Sequence, residues 1–188
     1  MKRTIVCLVV GLLGLTSVLA EELVPLRYVA AGSPYSGVGR IHPGSNSYCT
    51  GVLVARNMVI TAAHCLYNRR TGQWPLPGSV HFLLGYDRGS YGFHTRVQDY
   101  QTGGFAPTKP EETLHKDWAV LRLADNAPRE YAALDSIQGT YSSDRFFSVV
   151  GYASPRRYSL STSGECIGLQ QGNFLLSECP TAEGMSGA

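Results

Sequence analysis

Three polar residues of this sequence have the types and settings that hydrolytic chemistry requires: His64, Asp117 and Ser186. His64 ends an apolar run and precedes a cysteine, so a disulfide could fix its imidazole as a general base must be fixed. Asp117 opens the run DWAVLRL, and a carboxylate at the mouth of a buried strand can orient an imidazole. Ser186 lies in GMSG, where glycines permit a sharp turn that exposes the hydroxyl and converges amide N–H groups. The order His, Asp, Ser fits an acyl-transfer triad, although each residue taken alone is more often structural.

The first twenty residues are typical of an export signal. Lys2 and Arg3 precede an apolar run over 5–15, and small residues lead to Ala20. This order predicts a secretory signal peptide, residues 1–20, cleaved after Ala20, and the apolar run is short for crossing about 30 Å of hydrocarbon. An uncleaved membrane anchor is the alternative. We therefore expect an exported protein, in the periplasm or the extracellular medium, with no membrane association once the signal is removed.

The cysteines that follow the signal predict disulfides, which persist in an oxidising compartment. Four remain once Cys7 is removed, and they allow three pairings. Proximity in the sequence favours Cys49–Cys65 and Cys166–Cys179. A two-residue hairpin turn at 172–173 would also place Cys166 opposite Cys179, with Cα atoms about 4.5 Å apart, which a disulfide tolerates. The spacings CxxC and HxxxH do not occur, so the sequence gives no support for a metal site.

Composition and periodicity favour an all-β domain. Hydrophobic residues make up 44% of the chain and charged residues 16%, which excludes a disordered protein. Beyond the signal, 14 basic residues balance 14 acidic ones, so we expect no nucleic-acid partner. Short apolar or alternating runs bounded by turn residues predict a barrel or sandwich, with one helical turn near 62–66. The strand candidates are Gly51–Val54, Met58–Thr61, Val80–Gly85, Arg96–Tyr100, Trp118–Leu123, Arg145–Gly151 and a hairpin after Cys166.

Longer motifs around these residues resemble the trypsin-like, chymotrypsin-fold serine peptidases. The stretch TAAHC at 61–65 resembles the family's histidine motif, CTGVLV at 49–54 the strand carrying the disulfide partner, and DWAVL at 117–121 the aspartate motif. The stretches at 33–41, 81–86 and 179–187 are similar to the bacterial V8-like, or glutamyl-endopeptidase-like, branch. The resemblance implies two six-stranded antiparallel β-barrels with the active site between them. It also implies a serine endopeptidase that acts on protein or peptide substrates.

Carried onto this sequence, the resemblance implies a role for each candidate residue. Ser186 would be the nucleophile, His64 its base, and Asp117 the residue that fixes the imidazole tautomer. The amides of Gly184 and Ser186 would form the oxyanion hole. The other histidines (His42, His81, His94 and His115) are interpreted as ordinary residues of loops and strand faces. The chemistry requires no cofactor or metal, and we expect a monomer. A structural ion such as calcium stays open as an alternative, although no motif supports one.

Two positions depart from the pattern of the animal digestive members. Met185 stands where those enzymes carry the aspartate that pairs with a new N-terminal ammonium, so that activation switch should be absent. Pro180 stands where tryptic members carry the acidic base of the specificity pocket, so the sequence gives no support for Lys or Arg preference. Glutamate preference is suggested by kinship alone.

The predicted domain organisation is a signal at 1–20, an arm or short pro-segment at 21–34, a first barrel at 35–124, a crossing segment at 125–143 and a partial second barrel at 144–188. Because the family places further strands after the serine motif, we expect the second barrel to be incomplete and the chain to be a fragment of a longer reading frame. Two alternatives to the enzyme stay open: a catalytically inactive scaffold that acts as a binding protein, and an inactive truncated product.

Overall fold

The computed structural model describes residues 26–32, 34–44, 47–131, 133, 146–172 and 174–188. The predicted signal peptide therefore lies outside the described residues, as does most of the predicted crossing segment. None of the helical segments described is both long enough and apolar enough to span a membrane.

The described residues form strands joined by turns and short 3₁₀ turns, with no α-helix among them. The predicted helical turn is the 3₁₀ turn Ala63–Cys65. The strands, in chain order, are β1 (Arg27–Tyr28), β2 (Val38–His42), β3 (Cys49–Ala55), β4 (Met58–Thr61), β5 (His81–Leu84), β6 (Phe93–Thr102), β7 (Ala119–Leu123), β8 (Val150–Tyr152), β9 (Leu160–Thr162), β10 (Gly168–Gln171) and β11 (Phe174–Ser177).

Six of these strands close into an antiparallel barrel in the order β2-β3-β4-β7-β6-β5. Side chains alternate between the two faces of each strand, so every second residue points into the barrel. Ile41, Phe82 and Leu121 are fully buried there. The predicted all-β, chymotrypsin-like fold is confirmed, and closure leaves this half of the protein without an open sheet edge.

The second half contains a three-stranded sheet, β1-β9-β8, and the hairpin β10-β11. The hairpin has the predicted register, with Gly168 opposite Ser177 and Leu169 opposite Leu176. Leu169 and Leu176 are exposed. The described strands of this half do not close on themselves, in agreement with a second barrel that is incomplete.

Sequence patterning was wrong about the bounds of two strands and missed three others. The predicted strand Arg145–Gly151 is reduced among the described residues to β8, and Trp118 precedes β7 instead of opening it. The strands β1, β2 and β9 were not predicted. Strands β1 and β9 are two or three residues long and rich in polar side chains, so neither shows a period that could be recognised. Strand β2 is buried on both faces and includes an arginine, so it shows no alternation of apolar and polar residues.

A buried arginine lies where the barrel meets the second half. Arg40, on β2, is 3% exposed, and its guanidinium lies 4.3 Å from the ring centroid of Tyr48, 4.7 Å from that of Tyr86 and 5.7 Å from that of Tyr158. Its Nε and Nη1 atoms have no hydrogen-bond partner among the described residues. Burial lowers the pKa of Arg40, and the neighbouring tyrosines oppose that shift. Cation–π attraction and packing of the aliphatic stem therefore hold this charge in place.

Replacing Arg40 tests which of these two contributions dominates. Arg40→Ala leaves a cavity between the halves and should lower the free energy of unfolding by about 2–4 kcal/mol. Arg40→Met fills most of that volume and removes the desolvation cost of the charge, so it should cost less than half as much. Equilibrium urea unfolding measures both values. Equal losses for the two variants would show that packing of the stem contributes little.

Candidate active site

His64 and Asp117 form a doubly bonded pair at one end of the barrel. One oxygen of the Asp117 carboxylate, Oδ2, lies 2.6 Å from Nδ1 of His64, and the other, Oδ1, accepts the backbone N–H of His64 at 2.8 Å. The carboxylate therefore holds both the ring and the main chain of the histidine. An imidazole bonded in this way presents Nε2 to the solvent, as a general base requires.

The local sequence explains why this pair is rigid. His64 lies in the 3₁₀ turn that follows β4, and the next residue, Cys65, is bonded to Cys49 at the start of β3. Asp117 ends the 3₁₀ turn before β7, the strand that pairs with β4. The Phe105 ring packs 6.3 Å from the imidazole centroid. Because neighbouring strands and a disulfide carry the two residues, neither can move without disturbing the barrel.

Ser186 is held in a tight loop between two glycines of positive φ. Gly184 has φ of 90° and Gly187 has φ of 83°, conformations that a residue with a side chain rarely adopts. A Cβ at Gly184 would also collide with Tyr48 and with the carbonyl of Tyr152, and one at Gly187 with the carbonyl of Thr50. Both glycines are therefore required by conformation and by space.

Thr50 makes four hydrogen bonds, two of which join this loop to the barrel. Its hydroxyl donates to the carbonyl of Gly184 at 2.8 Å and accepts the N–H of Tyr152 at 2.9 Å. Its backbone N–H donates to the carbonyl of Ser186 at 3.0 Å, and its carbonyl accepts the Thr61 hydroxyl at 2.7 Å. Thr50 is fully buried. The serine loop is therefore fixed against β3 from both sides of Met185.

A cavity of about 600 Å³ brings the candidate residues together. His64, Gly184 and Ser186 line it, as do Tyr48, Arg69, Arg157 and Glu183. Asp117 lies behind the imidazole, with a side chain 11% exposed against 31% for His64. This arrangement places a hydroxyl, an oriented imidazole and a shielded carboxylate at one solvent-accessible site.

The backbone amides of the serine loop are also arranged for binding an anion. The N–H of Met185 donates to the carbonyl of Ala182 at 3.1 Å, whereas in the described part of the chain the N–H groups of Gly184 and Ser186 donate to no protein group. Two such amides flanking a nucleophile can bind an oxyanion. The Met185 side chain is buried.

The remaining predicted residues occupy ordinary positions. Cys166 and Cys179 form the second disulfide, with Cα atoms 5.3 Å apart. His81 and His94, on neighbouring strands, are bonded to each other at 2.8 Å between ring nitrogens. Burial, aided by Arg40 and His81, lowers the pKa of His42 to about 4.

His115 lies in the 3₁₀ turn before Asp117. His64 lies close to the sulfur atoms of Cys49 and Cys65. Those sulfurs are consumed in a disulfide and Nδ1 of His64 faces Asp117, so this group does not form a metal site.

The family model that describes trypsin matches residues 27–162. The chain belongs to the trypsin family. Its curated relatives include coagulation factor XII from Cavia porcellus, 32% identical over 111 residues, which cover 56% of this chain and 17% of the relative. Coagulation factor XII from Sus scrofa is 30% identical over 129 residues, which cover 62% of this chain and 19% of the relative. The chain thus spans less than a fifth of the length of these animal relatives.

Solved structures show the same fold. The chain is similar to a Glu endopeptidase with a TM-score of 0.70 and 19% identity, over 86% of this chain and 77% of that one. It is also similar to the scabies mite inactivated protease paralogue S-D1, with a TM-score of 0.61 and 14% identity, over 77% of this chain and 62% of that one. At these identities the likeness concerns the fold alone.

Sequence reasoning missed two buried polar residues of this trypsin-family chain: one anchors the serine loop, and the other lies where the two halves meet. Thr50 and Arg40 were not singled out, because a threonine or an arginine in a strand has common explanations. One signal could have indicated Thr50: it follows Cys49, whose partner Cys65 adjoins the candidate base, so its strand must pass beneath the site.

Thr50→Val removes the hydroxyl while keeping the β-branched shape. The carbonyl of Gly184 and the N–H of Tyr152 would lose a buried partner, so the free energy of unfolding should fall by about 2–4 kcal/mol. Thr50→Ser keeps the hydroxyl and loses one methyl group, which costs about 1 kcal/mol. Urea unfolding compares the two variants. If valine proves as stable as serine, the hydrogen bonds do not anchor the serine loop.

Proposed function

We propose that this chain is an exported serine endopeptidase that cleaves peptide bonds through Ser186, His64 and Asp117. The observation that carries the proposal is the Asp117 carboxylate, which binds both Nδ1 and the backbone N–H of His64 beside a cavity that Ser186 also lines. A structural ion pair has no need of a neighbouring hydroxyl between two glycines of positive φ. Acyl transfer needs all of these features.

The proposed mechanism follows from the geometry. The Oγ of Ser186 attacks the carbonyl carbon of the substrate while Nε2 of His64 takes the hydroxyl proton. The Asp117 carboxylate accepts the hydrogen bond from Nδ1 and stabilises the imidazolium that forms. The amides of Gly184 and Ser186 bind the oxyanion, each contributing about 3 kcal/mol to transition-state stabilisation. His64 then protonates the leaving amine, and water hydrolyses the acyl-enzyme by the same proton transfers.

The finer assignments belong to the same proposal. We place the chain in the V8-like, bacterial branch on the motifs at 33–41, 81–86 and 179–187. We further propose cleavage of a signal at 1–20, a first barrel at 35–124 and a second at 144–188, joined by the segment 125–143. Two disulfides support export to an oxidising compartment, either periplasmic or extracellular. The substrates are proteins or peptides, and the chemistry uses a monomer without a cofactor.

A catalytically inactive binding protein is the second candidate. The similarity to an inactivated protease paralogue supports it, because this fold persists where catalysis is lost. The fixed His64–Asp117 pair favours the enzyme instead, since a binding scaffold gains little from orienting an imidazole toward a serine loop.

Labelling with a fluorophosphonate probe tests the nucleophile. The probe should label the wild-type chain, and Ser186→Ala should abolish labelling because the reacting oxygen is absent. Ser177→Ala, on the exposed strand β11, is the matched control and should label normally. Equal labelling of wild type and Ser186→Ala, or none of the wild type, would refute the proposed nucleophile.

Turnover of a protein substrate tests the other two roles. His64→Ala should lower kcat on the order of 10⁶-fold because the base is lost. Asp117→Asn should lower it on the order of 10⁴-fold because the imidazole adopts the wrong tautomer. His115→Ala changes a histidine two residues from Asp117 and should leave kcat unaltered. A large loss for His115→Ala with little effect of His64→Ala would reverse the assignment.

A further inference from the structure

A second concavity, of about 720 Å³, adjoins the candidate active site. Three arginines line it: Arg88, Arg156 and Arg157. It shares Ser154 and Arg157 with the cavity that contains His64 and Ser186. The two hollows are therefore neighbouring parts of one surface.

The segments that carry these arginines are held together by short hydrogen bonds. The N–H of Arg88 donates to the carbonyl of Tyr158 at 2.6 Å, and the hydroxyl of Ser159 donates to Asp87 at 2.6 Å. The ring of Tyr158 also faces the buried guanidinium of Arg40. The turn after β5 and the loop before β9 thus form one platform.

The same loop is tied to the catalytic side as well. The N–H of Ser154 donates to the carbonyl of Glu183 at 2.7 Å, next to Gly184. The arginines therefore have a fixed relation to the serine loop.

The charges of this surface are unbalanced. Among the residues that the structure describes, no carboxylate lines the concavity and none of the three arginines forms an ion pair. The carboxylate of Asp87, next to Arg88, already accepts the Ser159 hydroxyl. Glu183 lines the neighbouring cleft, as do Arg157 and Arg69. Three guanidinium groups with free donors are suited to binding carboxylates in a bidentate manner.

We propose that this arginine concavity binds acidic side chains of the polypeptide substrate outside the residues at the scissile bond. The inference rests on the proposed function, because continuity with the catalytic cleft identifies the occupant. A peptide lying across Ser186 continues past Ser154 and Arg157 into the concavity. A nucleic acid or sulfated polysaccharide would instead require a longer basic stripe, and these three arginines form a local cluster.

Binding to the full chain carrying Ser186→Ala tests the proposal without hydrolysis. A fluorescein-labelled peptide rich in glutamate is titrated by fluorescence anisotropy, and the same peptide with glutamine in place of glutamate is its control. Arg88→Gln combined with Arg156→Gln should weaken glutamate-peptide binding about tenfold or more, because two charge-assisted contacts are lost. Binding of the glutamine peptide should be weak and unchanged. Added salt should weaken binding of the glutamate peptide to the Ser186→Ala parent more than binding to the double arginine variant.

Arg122→Gln is the matched control. Arg122 lies on β7 and pairs with Asp99 at 3.5 Å, so removing its charge should not alter peptide binding. The urea unfolding midpoint of each variant separates loss of binding from loss of folding.

Equal affinity of the double variant and its parent for the glutamate peptide would overturn the proposal. Heparin binding that the glutamate peptide fails to displace would also overturn it, in favour of a polyanion. The two proposals fail in different assays. Absence of fluorophosphonate labelling of the wild-type chain would refute the proposed function, whereas peptide binding is measured by anisotropy in the Ser186→Ala chain and does not depend on that labelling.

Discussion

The candidate site depends on one buried threonine. Thr50 makes four hydrogen bonds, and through three of them β3 of the closed barrel holds the carbonyls of Gly184 and Ser186 and the N–H of Tyr152, at the end of β8. The fourth ties Thr50 to Thr61 within the barrel. Water has no access to replace these bonds, because Thr50 is fully buried. Removing a polar group in that position costs more free energy than its own hydrogen bonds contribute, because its former partners stay buried and cannot be solvated. The position of the serine loop against β3 therefore depends largely on the hydroxyl and the backbone N–H of this one residue.

The two sides of the site are stabilised in different ways. His64 and Asp117 belong to a closed barrel, where strand pairing and the Cys49–Cys65 disulfide fix them. Ser186 belongs to the half whose described strands remain open, so its position is fixed by the hydrogen bonds of its loop to the barrel. Arg40 contributes at the same junction, with tyrosines from both halves around its guanidinium. The junction thus combines this cation–π group with a buried cluster of Val38, Leu83, Tyr86, Tyr152 and Leu160.

The sequence was informative where a motif or a period was local. The histidine, aspartate and serine motifs, the long strands of the barrel and the Cys166–Cys179 hairpin could all be predicted from short windows. Thr50 and Arg40 could not, because their roles exist only once distant segments meet. Arg40 is a charged residue, which is typical of a side chain that faces solvent. It is buried instead, because tyrosine rings from positions 48, 86 and 158 surround it. Windows of sequence contain no information about such convergence.

The distribution of charge on the folded surface is also not predictable from short windows of sequence. A chain with equal acidic and basic counts beyond its signal predicts no charged surface, but the fold brings Arg88 beside Arg156 and Arg157 while the acid nearest in sequence, Asp87, is bonded to Ser159. Electrostatic attraction acts over about 10 Å at moderate salt, so this local excess matters to a ligand where the net charge does not. Because the excess borders the cleft that contains Ser186, its field acts on a polypeptide that approaches this residue. Under the proposed function, selectivity would then arise partly outside the pocket for the cleaved residue, on a surface fixed by the same junction that fixes the serine loop.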